Sequence, residues 1–367
     1  MSNAAAAPAP TTLWYTRCGV PTPTGIAVQK GWVHDELVGE PFSVESLQDS
    51  NQHAVRESHY DHKLLNSFRQ GGSIPAIWAR SAGRDTKVVG LTWTDEYQGI
   101  ITLPDTGIRT IKDLKGRRLG LPKRVNDVID FTRAQALRGY LNALATEGLG
   151  KGDVQFTELT IEQNSFDERS APAAGLGPAS IRISRRGGGG EFWREAAALI
   201  RGEVDAIFVK GSRGAELANF LRAHLIVDIG RHPDPLVVAN NHSPRTFTVD
   251  GHLLRSRPDI VSRLLVRVLD AGQWAADHPA ETVAYIGREV GSIDQWVLAG
   301  YGAQLHHHLK TDLEEGHIAA LASFTAFLGE HGFLKESFDV RGWIDPAPLA
   351  EAIRLRAGRP ASARAVA

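Results

Sequence analysis

Short runs rich in Val, Ile, Leu and Thr alternate with amphipathic stretches over roughly the first two thirds of the chain, and that alternation admits few folds. Leu13 to Tyr15, Lys87 to Thr92, Gln98 to Thr102, Val154 to Leu159, Val204 to Val209 and Leu225 to Ile229 read as strands. Thr24 to Gly31, Asp127 to Leu149, Glu191 to Arg201 and Ala215 to Arg222 read as helices, several closed by glycine. Such alternation predicts an α/β architecture with helix-flanked, mostly parallel sheets. Two turn clusters, Pro104-Asp105-Thr106-Gly107 and His232-Pro233-Asp234-Pro235, divide it into two lobes joined by two crossovers. The expected arrangement is a disordered leader at 1–12, one lobe from 13–104 to which 236–367 return, and a second lobe at 105–235. Beyond Val249 the pattern is helical: Pro258 to His278, Ala280 to Arg288, Ile293 to Ala299, Leu313 to His331 and Pro346 to Leu355. A ligand would sit in the cleft between the lobes.

One stretch, Ser58 to Gly83, carries the candidate site. It reads as a helix, a turn at Gly71-Gly72, and a second helix with Ser73 as N-cap and Pro75 in its first turn. That reading leaves orphan backbone N–H groups beside Arg69, a seat for a small oxyanion such as a sulfonate, sulfinate, phosphate or carboxylate. Gly-Gly-Ser-Ile-Pro alone is equally compatible with a plain corner. Cys18 lies between a strand end and a helix start, where open α/β sheets place ligands. Considered singly, Cys18 reads as a small buried hydrophobe and His59 as a structural histidine. A thiol, an imidazole and a guanidinium brought together would make a reactive site.

Composition narrows the function. The 367 residues carry 41 Lys and Arg against 42 Asp and Glu, a net charge of −1, so neither nucleic acid nor an anionic membrane surface is an expected partner. No window is apolar enough to span a bilayer, and the Ala- and Pro-rich start has no basic n-region or apolar core of a secretory signal. A single cysteine precludes an internal disulfide and suits a reducing compartment, so a cytoplasmic monomer is expected. His306-His307-His308 are consecutive, cannot face one metal from a helix, and read as a solvated patch. Gly187 to Gly190 read as a lid hinge or a surface loop, with Arg182, Arg185 and Arg186 on the same basic loop.

These residues carry a resemblance. Tyr15-Thr16-Arg17-Cys18-Gly19-Val20-Pro21, His59 followed by Arg69 and Gly71-Gly72, Asp113-Leu114-Lys115-Gly116 and Gly202-Glu203-Val204-Asp205-Ala206 resemble, in order and spacing, the aromatic sulfinate desulfinases. The glycine turn and the Asp-Leu-Lys-Gly turn also resemble the sulfonate- and taurine-binding proteins of ABC transporters. The resemblance implies a two-lobed, type II periplasmic-binding-protein-like fold. It implies Cys18 as catalytic thiol, His59 and Arg69 as its catalytic partners, and a sulfinate held by Arg69 and the Gly72 backbone, with Gly71, Ser73 and Thr16 lining the site. The implied reaction releases sulfite from a small-molecule sulfinate with water and without metal or organic cofactor. The thiol would either attack sulfur or protonate the ring carbon. Lys210, Arg213 and Gln135 depart from the family, which has aromatic walls at the matching positions; a smaller or more anionic sulfinate is the expectation. The alternative is a non-catalytic binding protein for a sulfonate or related anion.

Overall fold

The computed structural model describes residues 11–163 and 192–359. Eleven strands lie in two sheets among these residues: β1 (Thr11–Arg17), β2 (Phe42–Ser46), β3 (Ser67–Gly71), β4 (Thr86–Thr92), β5 (Gln98–Thr102), β6 (Arg118–Arg124), β7 (Gln155–Ile161), β8 (Ala206–Lys210), β9 (His224–Asp228), β10 (Arg245–Asp250) and β11 (Thr311–Asp312). One sheet has the order β11-β4-β10-β3-β1-β2, the other β7-β6-β8-β5-β9. The leader falls largely outside the described residues, but Thr11 and Thr12 already belong to β1. The glycine run at 187–190 and its arginines also lie outside them.

Both sheets are mixed, with most strands in one direction and β10, β11 and β5 against it. β1 pairs in parallel with β2 and β3, and β6 with β7 and β8, as successive β/α units require. β5 runs antiparallel to β8 and β9, and β10 antiparallel to β3 and β4. β5 and β10 are the first strands after each crossing between sheets, so each enters from the side of the other lobe and points the opposite way. The first crossing lies between β4 and β5, ahead of the Pro104 turn where the sequence places it.

β3 is a strand that sequence reading takes as part of a helix–turn–helix. Its Arg69 and Gln70 are buried, so it lacks the apolar pattern of a central strand. The C-terminal helices appear within three residues of the expected bounds, because their apolar positions recur at helical spacing. The longest, Pro258–Asp277, packs Val261, Leu264, Leu265 and Val268 against Leu13, Phe68 and Phe247 of the first sheet. A second cluster joins the two sheets: Ile74, Ile77, Val88 and Leu91 continue into Leu119, Tyr140 and Phe208.

Candidate functional site

The carboxyl ends of β1 and β3 and the start of β10 meet at one edge of the first sheet. Thr16 pairs with Arg69 across β1 and β3, while Gly71 faces Thr246 across β3 and β10. Cys18 follows β1 directly and is half-buried. A Cβ built on Gly71 would lie 2.5 Å from Cys18 Cβ, 2.8 Å from its Sγ and 3.4 Å from Arg69 Nη2. Only a glycine admits the thiol here, and it brings the thiol beside the guanidinium.

Arg69 is 4% exposed. Its Nη1 donates to the Gly72 carbonyl at 2.9 Å, while Nε and Nη2 have no hydrogen-bond partner. Burial pulls its pKa down, opposed by the negative forms of Cys18 and Tyr60. His59, on the helix His53–Asp61, is buried with Nδ1 2.5 Å from the Thr16 hydroxyl. Gln48 Nε2 donates to that hydroxyl at 2.8 Å, and the direction of the Thr16–His59 bond follows the tautomer of the imidazole. His59 thus reaches the Cys18 segment through Thr16, two residues before the thiol. Gln48 was not legible beforehand; an isolated glutamine in a loop gives no signal.

The helix Ser73–Ser81 starts differently from expectation. Gly72, not Ser73, is the N-cap. Its first amides are not free: Asn241 O accepts from Ser73 N at 2.5 Å and from Ser73 Oγ at 3.1 Å, and Asn241 Oδ1 accepts from Ile74 N at 2.9 Å. Asn241 thus performs the capping from far along the chain, and Ser73 is engaged by it rather than open to an anion. Gly72 is glycine for room: a Cβ there would lie 2.7 Å from both Asn241 Oδ1 and His242 Cδ2.

His242 opens a second cluster. Its Nδ1 lies 3.0 Å from Glu96 Oε1 and 3.1 Å from Lys210 Nζ, and Lys210 Nζ lies 2.8 Å from Glu96 Oε2. Burial lowers the His242 pKa to about 4, so the imidazole is neutral at pH 7. Burial would raise the Glu96 pKa, but the cationic neighbours hold it well below the carboxylate range, so Glu96 is ionised. Arg245, the first residue of β10, is 0% exposed and none of its three guanidinium nitrogens has a hydrogen-bond partner. Burial lowers its pKa too, and Glu96, Tyr301 and Cys18 oppose that electrostatically. Sequence reading missed Glu96, Asn241 and His242, which belong to crossovers with no local motif, and Arg245 at the start of β10.

The three departures separate in space. Lys210 is buried in the cluster just described, and Gln135 is buried with its Oε1 3.4 Å from Asn241 Nδ2. Arg213 does not enter the site; it pairs with Glu216 at 2.9 Å, donates to the Gly291 carbonyl, and is 38% exposed in its side chain. The consecutive histidines lie on and after the short turn Leu305–His307, where His308 faces Asp95 at 3.5 Å. Asp312, Glu314 and His317 cluster elsewhere, but His317 bonds Asp312 at 2.7 Å and Lys310 bonds Glu314 at 2.6 Å, so the group is satisfied internally.

Known proteins resemble this chain over most of its length. The family model "NMT1/THI5 like" matches residues 68–156. The chain is 26% identical over 350 residues to the 2'-hydroxybiphenyl-2-sulfinate desulfinase of Rhodococcus erythropolis, covering 91% of this chain and 92% of that one. A crystal structure of a DszB mutant in complex with biphenyl-2-sulfinic acid superposes with a TM-score of 0.70 at 23% identity, over 94% of this chain and 99% of that one. The periplasmic aliphatic sulphonate binding protein SsuA of Escherichia coli superposes with a TM-score of 0.61 at 16% identity, over 92% of each chain. The fold is therefore the two-lobed, type II periplasmic-binding-protein-like one.

Proposed function

We propose that this chain is a sulfinate desulfinase, converting R–SO2⁻ and water into R–H and hydrogen sulfite. The observation that carries the reading is Cys18 seated against Gly71 beside the buried Arg69, two of whose nitrogens have no hydrogen-bond partner. Similarity over 91% of the chain to a curated desulfinase supports it. The C–S bond breaks, the ring or chain carbon takes a proton, and water supplies hydroxide to sulfur. Arg69 and the Gly72 backbone hold the sulfinate oxygens, where charge-assisted hydrogen bonds orient sulfur toward the thiol. Thr16 and Gln48 fix His59, which exchanges a proton with the thiol. Gly71 contributes space, and Ser73 supports the turn through Asn241.

Two routes satisfy this arrangement. In one, the Cys18 thiolate attacks sulfur, the carbon leaves with a proton, and water releases sulfite from the thiosulfonate. In the other, the thiol protonates the carbon, sulfur dioxide departs and is hydrated, and the thiolate regains its proton. Both balance without metal or organic cofactor. The single cysteine supports a reducing, cytoplasmic setting, and we take the working form as a monomer. No helix among the described residues is long and apolar enough to cross a membrane.

A pure sulfonate binder has no need of a thiol at this point, and the test separates the two. Sulfite release from a panel of aryl and alkyl sulfinates is expected from the wild type and is expected to fall at least 1,000-fold in Cys18→Ser. Sulfonate binding that survives Cys18→Ser, with no sulfite from any sulfinate, would establish a binder instead. Trapping a Cys18 adduct by mass spectrometry selects the nucleophilic route.

A further inference from the structure

With the Cys18 thiol protonated, the buried charges around it do not balance with one bound anion. Lys210 answers Glu96 at 2.8 Å, and Glu96 also takes His242 Nδ1 at 3.0 Å. With His242 neutral, its pKa near 4, that pair sums to zero. Arg69 and Arg245 remain, 4% and 0% exposed, with two and three nitrogens lacking any hydrogen-bond partner. A buried, unpaired guanidinium is among the most costly states a side chain can hold, and two of them imply two anionic groups that bind there. Arg69 is accounted for by the sulfinate.

Arg245 lies on the other side of the same edge. It directly precedes Thr246, the register partner of Gly71, and the Thr246 hydroxyl is also buried without a partner. His242 packs on Gly72, and the Glu96–Lys210 pair packs on His242, so the cluster is continuous with the turn that seats the thiol. Glu96 bonds Lys210 and His242 and makes no hydrogen bond to Arg245.

We propose that Arg245 forms a second anion subsite and that the natural substrate is a compact sulfinate carrying a carboxylate, with sulfinate on Arg69 and carboxylate on Arg245. The proposal rests on the desulfinase reading for the first group only. Arg245 stands three residues along β10 from Thr248, the register partner of Arg69, so both acids are placed on one small molecule. Lys210 belongs to the subsite indirectly, by occupying Glu96 and so leaving Arg245 to the ligand.

The test compares benzenesulfinate with its 2- and 3-carboxylated forms as substrates, and benzenesulfonate with the matching sulfobenzoates as unreactive ligands in calorimetry. The wild type is expected to prefer one carboxylated sulfinate by at least 100-fold in kcat/KM. Arg245→Gln is expected to reduce that preference below 5-fold, and Arg245→Lys to keep part of it, with thermal melts confirming folding. Equal turnover of carboxylated and plain sulfinates by the wild type overturns the proposal, whether or not the variants fold. So does an equal loss on both substrates in Arg245→Gln, which marks a structural arginine or a counterion to the Cys18 thiolate. If no sulfinate yields sulfite, yet a sulfobenzoate binds at least 100-fold tighter than benzenesulfonate and loses that advantage in Arg245→Gln, the subsite stands and the desulfinase reading falls.

Discussion

Gly71 shows how one missing methyl group makes a site possible. Its backbone needs no left-handed conformation, so alanine would be tolerated locally and only the space matters. The obstructing atoms are Cys18 Cβ and Sγ, at 2.5 and 2.8 Å from the new methyl, and Cβ is fixed to β1's end rather than to a flexible side-chain tip. Gly71→Ala therefore pushes β1 and β3 apart at their ends and turns the thiol from Arg69. Overpacking of this kind costs about 1–3 kcal/mol. We expect a folded protein whose kcat/KM falls at least 100-fold; activity within threefold of wild type would show that the thiol is not held by this contact. Cys18, His59 and Arg69 were singled out through the family resemblance; taken singly, the thiol and the imidazole read as structural. Arg245 and Asn241 were not singled out. Asn241 caps residues about 170 positions earlier and Arg245 stands in register with Thr92, 153 positions earlier, and neither sits in a pattern that local spacing can flag.

At the scale of elements, β3 and the helix after it are the instructive pair. Ser67-Phe68-Arg69-Gln70-Gly71 reads poorly as a strand because two of its five residues, Arg69 and Gln70, are polar and buried. Gln70 accepts from Thr24 Oγ1 at 2.6 Å and donates to Thr92 at 2.9 Å, binding β3 to the helix Pro23–Gln29 and to β4. The helix Ser73–Ser81 was expected to begin with its own serine cap. It begins instead with Asn241, so its start is tied to the loop before β10 and, through Asn241, to Gln135 of the second lobe. Asn241→Ala would leave the Ile74 amide buried without its acceptor, a loss of about 1–3 kcal/mol. The expected outcome is that much destabilisation in denaturant melts, a raised KM as Gly72 loses its backing, and faster hydrogen exchange at Ile74. A loss below about 0.5 kcal/mol with unchanged exchange would mean that the cap is replaced by water.

For the molecule as a whole, the two crossings between lobes meet in one buried polar cluster: Glu96 lies between β4 and β5, and His242 precedes β10. Folding forces His242 among Lys210, Arg245 and Glu96 in a buried place, so acid acts on the junction of the lobes rather than on the surface. In the unfolded chain His242 takes a proton near its ordinary value of 6.5, whereas in the fold burial delays that to about 4. Between those values the unfolded state binds more protons, so stability contributed here is intact above pH 6.5 and falls as pH drops toward 4, by up to about 1.4 kcal/mol per pH unit. Glu96 acts in the same direction lower down: its folded pKa is depressed, so stability present above pH 4.5 is lost as acid moves through and below that value. His62, half-buried and lowered by desolvation with Arg69 and Arg84 nearby, adds to the same slope and must be separated from it. His242→Gln makes that separation, because the amide can still donate to Glu96 but cannot titrate. Denaturant melts from pH 7 to 4.5 should show the wild type losing stability more steeply than the variant, with the gap between them changing by at most about 1.4 kcal/mol per pH unit. Parallel curves would place the acid sensitivity at His62 or elsewhere and leave the junction neutral to pH.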